Sequence, residues 1–174
     1  MENNAKTTWN IDTAHSEINF KVKHMMISTV SGHFENFEGK AETDNPDFKN
    51  ADFSFSAKVD SVNTNNKDRD NHLKSDEFFG SDKHPKLTFK SKSFDGNKVT
   101  GDLTIKDVTK EITLDAEYNG TAVDPYGQTK AGFEFEGNIN RKDFGLTWNA
   151  VTEAGSVVVS DKVKLIASLQ FIKQ

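Results

Sequence analysis

The chain contains no cysteine among its 174 residues. This absence excludes a disulfide framework, a thiolate metal site and a cysteine nucleophile. Tyrosine and tryptophan are scarce, with two residues each, whereas there are 14 phenylalanines. Phenylalanine contributes apolar area without a polar group. Because only 34% of the residues are hydrophobic, we expect the phenylalanines to be gathered on one buried face.

Long apolar runs are also absent. No stretch approaches the ~20 apolar residues that a membrane-spanning helix needs. Residues 1–8 (MENNAKTT) show neither the apolar segment nor the cleavage site of a secretory signal. The chain as written is therefore expected to be cytoplasmic, although the mature form of an exported protein would look the same.

Positive charge is in the minority. There are 22 Lys and Arg residues against 27 Asp and Glu residues, which gives a net charge of −5. Binding to nucleic acid draws on clustered basic residues, so no nucleic-acid partner is expected. The lysines are interleaved with acidic residues, as is typical of a mixed solvated surface.

Apolar and polar residues alternate along most of the chain, which indicates strands with one buried face. Helical periodicity is nearly absent. The positions predicted to face inward are Ile18, Phe20, Val22, Phe53, Phe55, Ala57, Val59, Leu87, Phe89, Val99, Gly101, Leu103, Ile105, Ile112, Leu114, Ala116, Tyr118, Phe133, Phe135, Gly137, Ile139, Val163, Leu165, Ala167, Leu169 and Phe171.

Turn residues separate these strands. Asp95-Gly96 and Asn119-Gly120 are predicted to be two-residue hairpin turns, because these residue types tolerate a positive φ, and residues 125–127 (PYG) mark a further reversal. About eight long antiparallel strands joined in this way can close into a barrel. The predicted fold class is therefore all-β, an antiparallel up-and-down eight-stranded barrel, with an open sandwich as the alternative.

One segment breaks the alternation, residues 64–85 (TNNKDRDNHLKSDEFFGSDKHP). It places a charged cluster before Leu73 and the pair Phe78-Phe79. We expect a short helical connection around residues 65–75 that lays these apolar side chains on the barrel, as a functional lid would.

The chain resembles the YceI-like family in four elements that occur in the family's order. They are residues 9–16 (WNIDTAHS), 64–85, 101–110 (GDLTIKDVTK) and 141–145 (RKDFG). The resemblance runs from about Thr8 to Phe171. It implies a lipocalin-like barrel that binds a polyisoprenoid or similar lipid non-covalently, with residues 1–174 as a single YceI-like lipid-binding barrel domain. Residues 1–7 are expected to be flexible.

Small residues recur near the middle of five predicted inward stripes, at Ala57, Gly101, Ala116, Gly137 and Ala167. They either leave an apolar tunnel at the waist of the barrel or complement bulky neighbours across a filled core. The resemblance favours the tunnel. The expected lipid contacts are Phe20, His24, Phe53, Phe55, Leu73, Phe78, Phe79, Gly101, Leu103, Ala116, Phe133, Phe135, Gly137, Phe144 and Ala167.

Three polar residues are candidates for contact with a lipid head group: Arg69, Asp70 and His72. A guanidinium offers forked donors, and a neutral imidazole offers one donor and one acceptor. Alternatively, Arg69 and Asp70 organise the connection by bonding to the backbone or to each other. This alternative is favoured for Asp70 and stays open for Arg69.

No catalytic or metal-binding motif is recognised. Asp12, His15 and Ser16 lie within one turn-like segment and no G-x-S-x-G nucleophile elbow occurs, so we expect these three residues to be structural. The five histidines lack the H-E-x-x-H spacing of a zinc site. Met25-Met26 is expected to form a soft rim of the pocket rather than a metal-binding pair.

Three functions compete at this point. The first is a carrier or storage protein for a long-chain amphiphilic lipid, and a polyisoprenoid or an isoprenoid quinone is the favoured ligand. The second is an enzyme acting on a hydrophobic isoprenoid-type substrate, with Arg69, Asp70 and His72 as acid-base groups. The third is a protein-interaction β-domain with a filled core. A homodimer is compatible with the sequence.

Overall fold

A computed structural model describes residues 6–149 and 158–174. The strands in these ranges are β1 Thr7–Ile11, β2 Glu17–His24, β3 Ser28–Phe34, β4 Phe37–Thr43, β5 Asp52–Lys58, β6 Val62–Asn63, β7 Lys86–Phe94, β8 Lys98–Ile105, β9 Val108–Val123, β10 Thr129–Asn140 and β11 Val159–Lys173. An α-helix, α1, covers Lys67–Lys74, and short 3₁₀ turns cover Thr13–His15, Val59–Ser61 and Arg141–Phe144.

Eight antiparallel strands of the described chain close into a barrel. Their order is β1-β4-β5-β7-β8-β9-β10-β11, and the ring closes where β1 pairs with β11, with Trp9 opposite Lys173. Strands β2, β3 and β6 continue β1, β4 and β5 beyond local bends, and β2 pairs with both β11 and β3. The predicted up-and-down eight-stranded barrel is therefore confirmed.

The predicted helical connection is also confirmed, as α1 between β6 and β7. Asn66 caps the start of the helix, because its side chain accepts a hydrogen bond from the backbone N–H of Arg69 at 3.0 Å. None of the helices in the described ranges is long and apolar enough to cross a membrane.

Two of the predicted turns are correct, and one is wrong. Residues 95–97, which include Asp95-Gly96, join β7 to β8, and residues 124–128 join β9 to β10, but Asn119-Gly120 lies inside β9. Gly132 pairs with Gly120 and Phe133 pairs with Tyr118, so Asn119 is an extra residue in the ladder. Gly120, with φ of 96°, therefore supplies a β-bulge rather than a hairpin turn, and the strand continues.

The N-terminal segment was predicted to be flexible over residues 1–7, of which 1–5 lie outside the described residues. Lys6 forms an ion pair with Asp52 at 2.6 Å. Thr7 begins β1 and pairs with Thr43 of β4. For Thr7 the prediction is corrected, because backbone pairing to β4 places this residue in the barrel wall.

One end of the barrel is filled, and we call it the plugged end. It holds the loop of residues 44–51 and the turns joining β7 to β8 and β9 to β10. The fully buried Phe48 packs its ring 4.9 Å from that of Trp9 and 5.0 Å from that of Phe133, centroid to centroid. Phe53 lies beside Phe133, with centroids 5.3 Å apart, so aromatic rings occupy the interior at this end.

The opposite end, which we call the open end, holds the β2–β3 turn, α1 and the turn joining β8 to β9. The assignment follows from the topology, because the loops of an up-and-down barrel alternate between its two ends. Here Leu73 and Phe79 pack on a smaller cluster of Phe34, Ala57 and Val62.

Candidate functional site

The open end contains a cavity of about 340 Å³. This volume lies toward the lower end of the roughly 300–1,000 Å³ typical of small-molecule sites. Most of its wall is apolar: Ile18, Phe20, Val22, Val30, Phe34, Phe55, Ala57, Leu73, Phe78, Phe79, Leu87, Phe89, Leu103, Ile105, Leu114, Phe135, Ile139, Leu146, Trp148, Val158, Val159, Val163, Leu165, Ile166 and Ala167. Polar residues on the wall are Asn19, Lys23, His24, Ser56, Thr64, Arg69, His72 and Arg141.

The structure brings together on this wall many of the residues expected from the sequence. From the expected lipid contacts these are Phe20, His24, Phe55, Leu73, Phe78, Phe79, Leu103, Phe135 and Ala167, and from the expected head-group contacts Arg69 and His72. They come from strands far apart in the chain and from the connection around α1. Barrel closure is what places them around one space.

The remaining expected residues lie elsewhere. Phe53, Phe133 and Phe144 are buried in the main core cluster, Phe53 and Phe133 near the plugged end and Phe144 in the turn after β10. Asp70 does not line the cavity, and neither do Gly101, Ala116 and Gly137. Of the five small residues at the waist, Ala57 and Ala167 line the cavity. The predicted tunnel is thus corrected to a cavity at the open end that does not pass Gly101, Ala116 and Gly137.

The glycines at the waist accommodate neighbouring groups instead of lining empty space. A Cβ at Gly101 would lie 2.5 Å from the backbone oxygen of Lys90 and 2.8 Å from the Phe89 ring. A Cβ at Gly137 would lie 2.6 Å from Leu114 Cδ2. Ala116 pairs directly with Phe135. At Gly101, Ala116 and Gly137 the second interpretation from the sequence is therefore correct, because these small residues make room for bulky neighbours in a filled core.

Sequence reasoning missed the part of the wall supplied by β3. Val30 and Phe34 line the cavity, and Gly32 lies between them on the same face. The Phe20 ring packs directly against Gly32 across the β2–β3 pair. A signal was present, since Val30, Gly32 and Phe34 alternate with polar residues, but the glycine lowers the apparent hydrophobicity of the stripe.

Aromatic side chains from two segments cover part of the cavity. His72 of α1 lies edge-on to Phe78, with ring centroids 5.0 Å apart, and to Trp148, at 4.8 Å. The Phe78 and Trp148 centroids are 5.3 Å apart. The exposed Glu77 pairs with His72 Nε2. We call Leu73, Phe78 and Phe79 the lid, because these side chains of α1 and the segment after it line the cavity at its open end.

Arg69 and Asp70 are both bonded to Thr64, the residue that leads from β6 toward α1. Arg69 donates from Nε to Thr64 Oγ1 at 2.8 Å and from Nη2 to the Thr64 carbonyl at 2.6 Å. Asp70 Oδ1 accepts from the Thr64 N–H at 2.8 Å and from its hydroxyl at 2.5 Å. Asp70 thus organises the connection, while Arg69 also reaches the cavity wall.

Arg141, the first residue of the RKDFG element, is a buried cation on the cavity wall that was not among the expected ligand contacts. Its side chain donates to four backbone carbonyls, those of Leu146, Trp148, Val159 and Ser160, at 2.6 to 3.2 Å. Burial lowers the pKa of Arg141, and the Asp161 carboxylate 3.9 Å away opposes this effect. The side chain therefore fastens residues 146–148 to the start of β11.

The Asp12, His15 and Ser16 group lies at the bend between β1 and β2, outside the cavity wall. Asp12 Oδ2 is 2.8 Å from both His15 Nδ1 and Lys130 Nζ. Burial raises the pKa of Asp12, but the hydrogen bonds from Lys130 and His15 outweigh it and hold that pKa below its ordinary value. Ser16 bonds to the backbone of Gln170. Across the described ranges, no group of three acidic, His or Cys residues could hold a metal ion.

The fold and the cavity define a closed antiparallel β-barrel with an apolar internal site at one end. The chain belongs to the YceI-like family, since the family model described as the YceI-like domain matches residues 9–171. A UPF0312 protein of Staphylococcus aureus is 43% identical over 166 residues, which cover 95% of this chain and 97% of that protein.

Two solved structures show the same barrel. The Campylobacter jejuni YCEI protein has a TM-score of 0.73 at 35% identity, over 87% of this chain and 90% of that one. A polyisoprenoid binding domain from Saccharophagus degradans, implicated in plant cell wall breakdown, has a TM-score of 0.71 at 17% identity, over 95% and 98% of the two chains. At that identity, the second similarity concerns the fold.

Proposed function

We propose that this protein binds a long-chain amphiphilic lipid, a polyisoprenoid or an isoprenoid quinone, and carries or stores it without a catalytic step. The observation that carries the proposal is the apolar cavity at the open end, bounded by aromatic and aliphatic side chains from opposite sides of the barrel. The polyisoprenoid binding domain from S. degradans supports this ligand class by analogy.

Energetics favour a ligand with a long apolar tail. Each buried methylene contributes about 0.8 kcal/mol, whereas a hydrogen bond to a polar head contributes a net ~0.5 to 1.5 kcal/mol. Affinity would come mainly from the tail, and we expect loose selectivity among head groups. Because 340 Å³ is a modest volume, a long tail would extend past the lid or displace its side chains.

Arg69 and His72 are the proposed head-group contacts. Both line the cavity, and Arg69 is exposed at its rim. Within the described residues, Arg69 Nη1 has no acceptor in hydrogen-bond range, so it offers N–H donors to an oxygen of the ligand. His72 is held by Glu77 and Trp148, which orients its ring at the same rim.

Mass spectrometry of lipid extracted from the denatured protein tests the proposal. We expect a single class of isoprenoid-type or related long-chain molecule in about stoichiometric amount. A control incubation of the loaded protein separates binding from catalysis, since a carrier returns the molecule unchanged and an enzyme releases a product. Protein that never contains or takes up such a lipid would exclude the proposed function.

A matched pair of variants locates the site. Val163 is half-buried on the cavity wall, whereas Val123 is exposed at the plugged end. Val163→Phe should fill the cavity and reduce lipid uptake by about tenfold or more, equivalent to 1.4 kcal/mol, while Val123→Phe should leave uptake unchanged. Equal uptake by the two folded variants would place the lipid elsewhere.

A further inference from the structure

An exposed apolar tip occupies the β2–β3 turn. The exposed fractions of Met25, Met26 and Ile27 are 37%, 64% and 81%. Three adjacent apolar side chains in water are unfavourable for a folded protein unless something covers them.

The backbone of this tip is also unfavourable for its residues. Met25 and Met26 have φ of 52° and 58°, in the left-handed region that asparagine and glycine adopt readily and residues with large side chains do not. An Asn-Gly pair would suit this turn better. Two methionines at these positions indicate that their side chains contribute something that the turn itself does not need.

The tip is located at the mouth of the cavity. His24, directly before it, lines the cavity, as do Val22 and Val30 on the two strands that carry it. The Met25 N–H donates to the Val158 carbonyl at 2.7 Å, and Val158 also lines the cavity. A surface that contacts the tip therefore lies beside the entrance to the lipid site.

Three lysines lie on β2 and β11 near the tip, although the chain has a net charge of −5. Lys21 of β2 lies directly opposite Lys164 of β11. Lys23 lies two residues closer to the tip on the same strand. Like charges at directly opposite positions are unfavourable.

Nearby acidic groups neutralise this lysine group only in part. Lys164 pairs with Glu136 at 2.7 Å, and Asp161 pairs with Lys142 at 3.2 Å. In the described ranges, neither Lys21 nor Lys23 has a carboxylate within 4.0 Å. Lys23 Nζ donates to the hydroxyl of Thr29 at 2.9 Å, a neutral partner. Lys21 and Lys23 are both exposed, and no described carboxylate neutralises their charges, so they can face an external anionic surface.

We propose that the β2–β3 tip docks the protein on an anionic lipid bilayer. Met25, Met26 and Ile27 insert among the acyl chains, and Lys21 and Lys23 face the lipid phosphates. Apolar insertion and basic residues combine in this way in proteins that bind membrane surfaces. This inference rests on the proposed function, because docking beside the mouth lets a water-insoluble ligand pass between bilayer and cavity without crossing water.

Co-sedimentation with vesicles tests the docking. The probes are vesicles of phosphatidylcholine alone and of phosphatidylcholine mixed with phosphatidylglycerol. The variant M25N/M26G/I27S should fold at least as well as the wild type, because Asn and Gly suit the turn. We expect it to bind mixed vesicles about tenfold or more weakly, while V123S/Y126S, which removes exposed apolar groups at the plugged end, should bind as the wild type does.

The charge contribution is tested with K21Q/K23Q. Each lysine near an anionic surface strengthens binding by about fivefold, so this variant should lose affinity for mixed vesicles and little for phosphatidylcholine vesicles. Wild-type protein that binds neither vesicle, or a tip variant that binds as the wild type does, would overturn the proposal. A dimer that becomes monomeric in the tip variant, without vesicle binding in either, would instead identify the tip as a contact between two copies.

The lipid content of each variant separates this inference from the proposed function. Tip variants that retain the co-purified lipid but lose vesicle binding support both. Vesicle binding through the tip in a protein that never holds lipid would leave the docking intact and exclude the carrier function.

Discussion

Arg69 reaches back to Thr64, donating from Nε to its hydroxyl at 2.8 Å and from Nη2 to its carbonyl at 2.6 Å. The same side chain lines the cavity. One residue thus both holds the connection to α1 and offers a charged donor to a ligand, and these two roles can be separated by substitution.

Arg69→Ala should lower the free energy of unfolding by about 0.5–1.5 kcal/mol, because it removes hydrogen bonds of an exposed charged group. It should also change the order of affinities among ligands of one tail length with anionic, quinone and amide heads, since the anionic head loses most. Arg69→Lys keeps the charge and is the control. An Ala variant that weakens all three ligands equally, or none, would make Arg69 purely structural.

Truncating a side chain of the lid should weaken binding of the ligand's apolar tail and leave contacts with its head group unchanged. Phe79 is half-buried against Phe34 and lines the cavity. Phe79→Ala should therefore weaken every long-chain ligand by a similar amount, about 1.5–3 kcal/mol, the value of burying such a side chain. Binding measured with the same three ligands checks this, and Tyr126→Ala, at a position 90% exposed, should have no effect. Loss for only one head group would contradict the assignment.

The glycine at the waist gives a test of stability. A Cβ at Gly101 would meet the backbone of Lys90 and Ser91 at 2.5 and 2.7 Å, so Gly101→Ala should cost about 1–3 kcal/mol, as overpacking does. A Cβ at Gly132 would meet its nearest neighbour, Asn119 Cβ, at 3.5 Å, so Gly132→Ala is the matched control and should be close to neutral. Denaturant unfolding measures both. Equal free energies of unfolding for the two variants would show that the backbone of β7 moves to accommodate a Cβ at position 101.

Acid should weaken the contact between Asp12 and Lys130. The pKa of Asp12 is lower in the folded protein than the ordinary carboxyl value, so the ionised group stabilises the fold fully above about pH 5 and progressively less as the pH falls through about 4 and below. Asp12→Asn should lower the free energy of unfolding by about 1–2 kcal/mol at pH 7.

The difference between this variant and the wild type should shrink as the pH falls below about 4. Unfolding measured from neutral to acid pH checks this dependence. Asp82→Asn removes an exposed carboxylate and serves as the control. A difference from the wild type that stays constant at low pH would mean that Asp12 acts through packing rather than charge.

The alternation of residues was sufficient to predict an all-β fold, with a closed barrel favoured over an open sandwich. Phe53 and Phe55 on one stripe, separated by serine, required one face of that strand to be buried, and Phe53 is 1% exposed. Local turn chemistry was less reliable, because Asn119-Gly120 suits both a hairpin turn and a bulge. Only the register with β10, in which Phe133 pairs with Tyr118, decides between the two.

The position of the cavity could not be predicted in the same way. Ala167 and Gly137 are both small and both lie on inward stripes, yet Ala167 lines the cavity, whereas Leu114 packs against Gly137. The sequence by itself determined which residues face inward, because the side-chain period of a strand is two. Only the tertiary structure decided where space is left, because that depends on which side chain of the neighbouring strand lies opposite each small residue.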